Sequence, residues 1–560
     1  GSFMDKIKII ALGGMDESYK NMTLVEINDD IFVVEAGVKF PDRTQPGIDY
    51  IIPRHDYLIE NKSRVRAYFL TQGHDSIIGA IPYIYDKVPA PIYCSATTKV
   101  FFEQFCIHNH IDINKFDFVI VKPSQDLLIK NRKISLFGTA CNMAESFGLA
   151  FNTDQGNVVF LSSFVVHNDQ DKGFVHDIAK IGRIINDKTL VLLADSFGVE
   201  RPGYCSPKYR LLPLVEKQIK DAPGRVFLGI DTPDFFNAIS VLEAAIKMGR
   251  KILAYDAHAR GMLDVFERTG FIKFNRDTRV SIEEVNRLRP QEVLVFITGY
   301  GSKLNSQIAL LAAKNNDEKI VFITPKDTFI LANHVTPENE ISATETLDEL
   351  YRTGCTIIRP SNKEFIRMHA CEEDLKAMIS LFKPQYFIPV SGMFKHLLAA
   401  AKIAVNMNVG LNHMNVFVLD NGNVVNFENG RGTIAPNKVI AGDLFIDGKG
   451  VGDIENRIIE ERQRLSDDGV VMMGITVSIK ERKIVAGPDV QARGLVYVKD
   501  GEALIKEIGR LFVTCVESEL AKEHFSKAYL EETVKEITFK AIRRALNKTP
   551  IIIPIIAEIE

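Results

Sequence analysis

Residues 70–84 read LTQGHDSIIGAIPYI. An apolar strand runs into a polar tip and then into an apolar helix start, the outline of a metal-binding loop. A loop that holds a metal pair needs imidazoles and carboxylates at its tip. Here the tip is Gln72-Gly73-His74-Asp75-Ser76-Ile77, with one imidazole and an isoleucine where a ligand would stand. The outline is kept while most of the ligating chemistry is gone.

Around this loop the chain reads as short strands with turn punctuation. TLVEINDDIFVVEAGVKF turns at Asn28-Asp29-Asp30, a hairpin signal. VRAYFLT, APIYCS, FDFVIV, KISLFGTA, NVVFLSSF and TLVLLADS follow, and several end in a small or polar residue, where chemistry often sits. Helical patterns such as TTKVFFEQFCIHN lie between them, which predicts an α/β sandwich. From residue 208 the rhythm becomes regular strand–helix alternation. GRVFLGI, RKILAYD, EVLVFITG and KIVFITP each precede a helical stretch, as in a parallel, doubly wound sheet. The sandwich rhythm resumes with QYFIPVSG, NVFVLDNG and NVVNFENG, so the alternating domain is read as an insertion. The expected boundaries are 4–207 and 372–447 for the two parts of the sandwich and 208–371 for the insert. A linker is expected at 448–466 and a compact β–α–α–β tail at 467–560.

The bulk numbers fit this plan. The 560 residues allow roughly three or four domains. A hydrophobic content of 46% and a charged content of 25% are ordinary for a folded globular chain. A net charge of −4 exerts no global pull toward nucleic acid, so any such surface would be a local basic patch. Gly1-Ser2-Phe3 ahead of Met4 is read as an expression remnant. No signal peptide and no run of about 18 apolar residues is read, so no membrane span is expected. The seven scattered cysteines never form a CxxC pair, which points to a reducing cytoplasm and away from a zinc ribbon.

With these residues in place, the chain resembles ribonuclease J, a metallo-β-lactamase-fold ribonuclease with an inserted β-CASP domain. ALGGMDESYKN, EAGVKFPD, LTQGHDSIIGAIPY, ADS, LYRTG, KPQYFIPVSG, FIDGKGVGDI, AGPDVQARGLVYV and PIIIPIIAEIE fall in family order nearly end to end. The implied architecture is a metallo-β-lactamase αββα sandwich, the β-CASP insert and a small C-terminal α+β assembly domain.

The resemblance implies a two-metal site of zinc or manganese with seven ligands. Carried over by position, these fall on Gln72, His74, Ser76, Ile77, Cys141, Ser163 and Ser391, of which His74 alone is unchanged. Gln72 is a neutral amide, Ser76 and Ser163 replace carboxylates, and Ile77 coordinates nothing. Cys141 binds zinc only as a thiolate. Two dications about 3.5–4 Å apart require several anionic or imidazole ligands, so no cofactor is expected, with zinc or manganese reserved for any residual activity. Asp195 in LLADS is retained, either as a turn or cap carboxylate or as a partner for His74. His369 matches the family histidine that stabilises the transition state. Its H-x-S-G-H motif has become Phe365-Ile366-Arg367-Met368-His369. The Ser-Asn pair of the 5′-phosphate pocket has become Pro233-Asp234, and a carboxylate there repels phosphate.

The expectation is a cytoplasmic, non-catalytic ribonuclease J-like subunit of RNA processing and mRNA decay. Its partners would be an active ribonuclease J paralogue, itself in a dimer or tetramer, and single-stranded RNA. The alternatives are a weak metal-dependent 5′→3′ exoribonuclease or endoribonuclease, and an RNA-binding protein without a partner.

Overall fold

The computed structural model describes residues 4–41, 44–168, 172–314, 321–337, 339–448, 450–451, 456–495 and 498–560. Two compact units are present. One comprises residues 1–39 and 51–444, the other residues 40–50 and 445–560.

The first unit is built on two sheets that share a core. In the eight-stranded sheet, Ile7–Gly13 lies between Val424–Glu428 and Met22–Ile27. Asp30–Val34, Val65–Phe69, Ile92–Cys94 and Phe118–Ile120 continue it. The turn at Asn28-Asp29 joins Met22–Ile27 to Asp30–Val34 as an antiparallel hairpin, with Asn28 at φ 56°. In the six-stranded sheet the order is Tyr386–Val390, Thr189–Asp195, Asn157–Leu161, Ser146–Phe151, Arg132–Thr139 and Asp126–Ile129.

Alternation along these strands sorts side chains to opposite faces. Leu136, Leu149, Val158 and Leu193 point inward with Ile9, Val25, Phe32 and Phe69 of the first sheet. Phe137, Ala150, Val159 and Leu192 point outward to the helices Ile178–Ile184, Glu372–Phe382 and Phe394–Asn406. Tyr386–Val390 runs parallel to Thr189–Asp195 although the insert separates them in sequence. That pairing is what an inserted domain requires.

The insert holds a parallel sheet in the order Arg279–Val280, Lys251–Ala254, Val293–Gly299, Val226–Asp231, Thr328–Leu331 and Thr356–Ile358. Two of its helices, Phe235–Lys247 and Ala257–Arg268, begin on side-chain caps: Asp234 accepts from the Asn237 amide and Asp256 from the Ala259 amide. Two expected strands differ. KIVFITP (residues 319–325, of which 319 and 320 lie outside the described residues) is not a strand over 321–325. Val321 and Ile323 are buried, but Thr328–Leu331 takes the place beside Val226–Asp231. NVFVLDNG contributes a single bridge, Phe387 to Val416, while Phe417 and Leu419 still enter the core.

The second unit carries Val470–Ser478 between an antiparallel Lys483–Arg493 and a parallel Ile551–Ile559. Helices Val498–Leu520 and Lys527–Leu546 cover one face, burying Ile508, Phe512, Val534 and Ile542. The tail therefore starts with a hairpin and is ββααβ. Of the stretch expected as a linker, residues 449 and 452–455 lie outside the described residues, and Asn456–Asp467 is a helix. Among the described residues no helix is long and apolar enough to cross a membrane.

Phe151 is fully buried between Phe32 and Phe69, with ring centroids at 5.3 and 5.9 Å. Phe151→Ala is expected to cost about 3–5 kcal/mol, read as a lower denaturant midpoint at unchanged slope.

Candidate functional site

The loop at residues 70–74 follows strand Val65–Phe69 and runs into the short helix Asp75–Ile78. Its backbone is tied down along its length. The amides of Asn21, Ala36, Val38 and Ala80 donate to the carbonyls of Ser76, Ile77, Asp75 and Ala36 at 2.8–3.1 Å. Gly37 packs so close that a β-carbon there would overlap the Ser76 carbonyl. Phe147 N donates to Thr71 O at 3.0 Å, which joins the loop to the second sheet.

His74 starts the short helix as its cap. Its Nδ1 accepts the Ser76 amide at 2.9 Å, and its ring stacks on Tyr19 with centroids 5.5 Å apart. Burial, with Arg367 and His369 nearby, pushes its pKa down to about 3, so the ring is neutral. Ser76 and Ile77 are buried within the helix, and Gln72 is buried before it.

The remaining positions come from strand ends. Cys141 is buried, its sulfur 3.5 Å from the Met143 carbonyl and 3.4 Å from Ser146 Oγ. Burial pushes its pKa up to about 11, which keeps it a thiol. Ser163 Oγ lies 3.4 Å from His369 Nδ1. Ser391, at φ 62°, donates to Asn21 Oδ1 at 3.2 Å.

Asp195 settles between the two roles left open for it. Its carboxylate pairs with His369 Nδ1 at 2.7 Å and accepts the Phe197 amide at 3.2 Å; its partner is His369 rather than His74. Phe197 lies against His369, with centroids at 4.8 Å, and under the Arg367 guanidinium at 5.7 Å. Arg367 donates to Tyr19 Oη at 2.8 Å. Burial opposes its charge, but Tyr19, Asp231 and Asp234 hold its pKa well above the ordinary value. Asp234 accepts both the amide and the side-chain nitrogen of Asn237. Asp231 accepts the His334 amide at 2.9 Å.

Glu35 joins the site although its sequence context gives no sign of it. It is fully buried at φ 67°, and one carboxylate oxygen accepts from Thr71 Oγ1 at 2.7 Å and from Ser162 Oγ at 2.8 Å. Nothing in EAGVKF marks it, because its surroundings come from three distant strand ends.

These donors do not fit a two-metal centre. His74 spends one ring nitrogen on a backbone amide, Cys141 is a neutral thiol, and the remaining ligand positions offer an amide, hydroxyls and an alkyl group. A catalytic zinc takes about three protein ligands. Among the described residues no group of three His, Cys, Asp or Glu side chains is placed to hold a metal ion.

The paired sheets with flanking helices and the inserted parallel sheet define a metallo-β-lactamase fold carrying an inserted β-CASP domain. Residues 223–350 match the family model for the ribonuclease J beta-CASP domain, and residues 457–559 match that for the ribonuclease J C-terminal domain. The chain is 32% identical to ribonuclease J 2 of Staphylococcus aureus (strain NCTC 8325 / PS 47) over 557 residues, 99% of this chain and 98% of that protein. It is 31% identical to ribonuclease J 2 of Staphylococcus epidermidis over the same shares. A protein of unknown function from Enterococcus faecalis V583 shares the fold at a TM-score of 0.50 and 12% identity, over 75% of this chain and 100% of that one. The chain belongs to the ribonuclease J family.

Glu35 gives the site a pH signature. Burial raises its pKa from 4.5 to about 7, against the hydrogen bonds from Thr71 and Ser162. Between those values the folded chain holds a proton that the unfolded chain has lost, so this group's contribution to stability falls as pH rises from 4.5 through 7. Glu35→Gln is expected to flatten that decline in unfolding free energy measured from pH 5 to pH 8 (~3 pH units).

Proposed function

We propose that this chain is a non-catalytic ribonuclease J subunit that pairs with an active ribonuclease J and positions or regulates it in RNA processing and decay. One observation carries the reading: of the seven positions that would hold the metals, only His74 keeps a family ligand, and its Nδ1 serves as a helix cap. A two-metal ribonuclease needs a metal-bound hydroxide and charge stabilisation on both the attacking and leaving oxygens. The site offers a neutral His74 imidazole, an Asp195–His369 pair and the Arg367 guanidinium instead. The C-terminal domain match, residues 457–559, supports a retained assembly role. Soluble cytoplasmic partners and single-stranded RNA in the cleft belong to the same proposal.

The test is a cleavage assay on 5′-monophosphorylated single-stranded RNA with manganese and then zinc, beside a Ser391→Ala variant. No cleavage above background is expected from either protein. Metal-dependent cleavage that changes with Ser391 or His74 would overturn the reading. Co-expression with an active ribonuclease J from the same source is expected to yield one stable complex by size-exclusion chromatography. Separate species at micromolar concentration would remove the subunit role.

Restoring one ligand is not expected to restore activity. Ile77 is buried in the short helix, and Ile77→His leaves five other ligand positions without family ligands. The variant should show no metal-dependent RNA cleavage in the same assay.

A further inference from the structure

Two cysteines that the cleft chemistry does not use lie side by side. Cys205 follows strand Thr189–Asp195 as the chain leaves for the inserted sheet, and Cys371 precedes helix Glu372–Phe382 as it returns. Both are buried. The two crossings run against each other: the Glu372 amide donates to Arg201 O at 2.9 Å and the Glu373 amide to Gly203 O at 3.0 Å.

Asp374 fixes their register. One of its carboxylate oxygens accepts the backbone amides of both Cys205, at 2.8 Å, and Cys371, at 3.0 Å. The other oxygen accepts the Val166 amide at 2.9 Å. Two amides on one oxygen hold the two cysteines next to each other. Arg210 Nη1 donates to Cys205 Sγ at 3.7 Å. The sulfurs also reach the main chain under the cleft, Cys205 to Arg367 O at 3.6 Å and Cys371 to His369 O at 4.0 Å.

We propose that Cys205 and Cys371 are a peroxide-reactive thiol pair that closes to a disulfide and staples the two crossings between the sandwich and its insert. The hydrogen bond from Cys371 draws the Cys205 thiol below its ordinary range; burial opposes this and Arg210 assists it. The same hydrogen bond and burial push the Cys371 thiol up. Cys205 is thus the attacking thiolate and Cys371 the resolving thiol. The exposed run Pro202-Gly203-Tyr204 immediately precedes Cys205, and a local opening there gives access.

The oxidant is a hydroperoxide. The Cys205 sulfur attacks the terminal peroxide oxygen, the O–O bond breaks, and the leaving oxygen departs as an alcohol, or as water from hydrogen peroxide. Cys205 is then a sulfenic acid. The Cys371 sulfur attacks it, the S–O bond breaks, and hydroxide leaves as water with the Cys371 proton. Two thiols and one hydroperoxide give one disulfide, one alcohol and one water. The disulfide forms where the two sulfurs lie against the carbonyls of Arg367 and His369, so oxidation acts on the segment that carries both of these residues.

The full-length folded protein, reduced and freed of reductant, is exposed to hydrogen peroxide, alkylated in denaturant and digested for mass spectrometry. The expected product is a linked peptide pair containing Cys205 and Cys371, lighter than the two reduced peptides by ~2 Da and separated again by dithiothreitol. In Cys371→Ser, Cys205 is expected to stop at a sulfenic acid that dimedone traps. The parent result needs no variant, so a folding defect in Cys371→Ser does not blunt the test. If the folded parent keeps both thiols while the half-buried Cys515 is oxidised, the proposal is overturned. A linked pair that forms only in urea-unfolded protein overturns it equally.

Discussion

The backbone ladder between residues 75–80 and residues 21–38 is the constraint on which the rest of the cleft depends. The carbonyls of Asp75, Ser76 and Ile77 each accept an amide from the facing segment, and Ala36 O returns the contact to Ala80. None of these bonds uses a side chain. Buried backbone groups left unpaired are costly, whatever the side chains do. The loop's path is therefore insensitive to the exchange of its imidazoles and carboxylates for an amide, a hydroxyl and an alkyl group. Gly37 is held for the same reason, since its β-carbon would displace the Ser76 carbonyl. A chain can lose the ligands here and still require the loop.

With the ligands gone, the charge problem of the cleft is solved locally. A buried carboxylate without a partner is expensive, and each acid in the cleft has found one. Asp195 pairs with His369, Asp231 with His334, Asp234 with Asn237, and Glu35 with Thr71 and Ser162. Arg367 spans from the Phe197 ring to the Tyr19 hydroxyl and supplies the one guanidinium of the group. The result is a packed polar cluster whose members satisfy one another, which differs in kind from a set of lone pairs aimed at an absent ion.

Much of the fold was legible because it is written in local pattern. The Asn28-Asp29 hairpin, the strand–helix alternation of the insert and the two-faced strands of the sandwich all follow from side-chain period and turn chemistry. KIVFITP failed for a reason that pattern does not carry. Its buried Val321 and Ile323 satisfy the period of a strand, but the ladder position beside Val226–Asp231 went to Thr328–Leu331. In the site, the identity of the ligand positions could be read one residue at a time. The pairing of Asp195 with His369 could not, because the two lie far apart in sequence and meet through the return of Tyr386–Val390 beside Thr189–Asp195.

By itself, then, the sequence determined the fold class and the chemical types present at each ligand position, since both follow from local period and residue identity. The tertiary structure decided what those residues do. Only the packed chain puts Glu35 against Thr71 and Ser162, turns His74 inward as a helix cap, and lays Cys205 beside Cys371. Hydrogen-bond partners and local dielectric are properties of proximity across distant strand ends, and proximity of that kind exists only after the two sheets and the insert have closed.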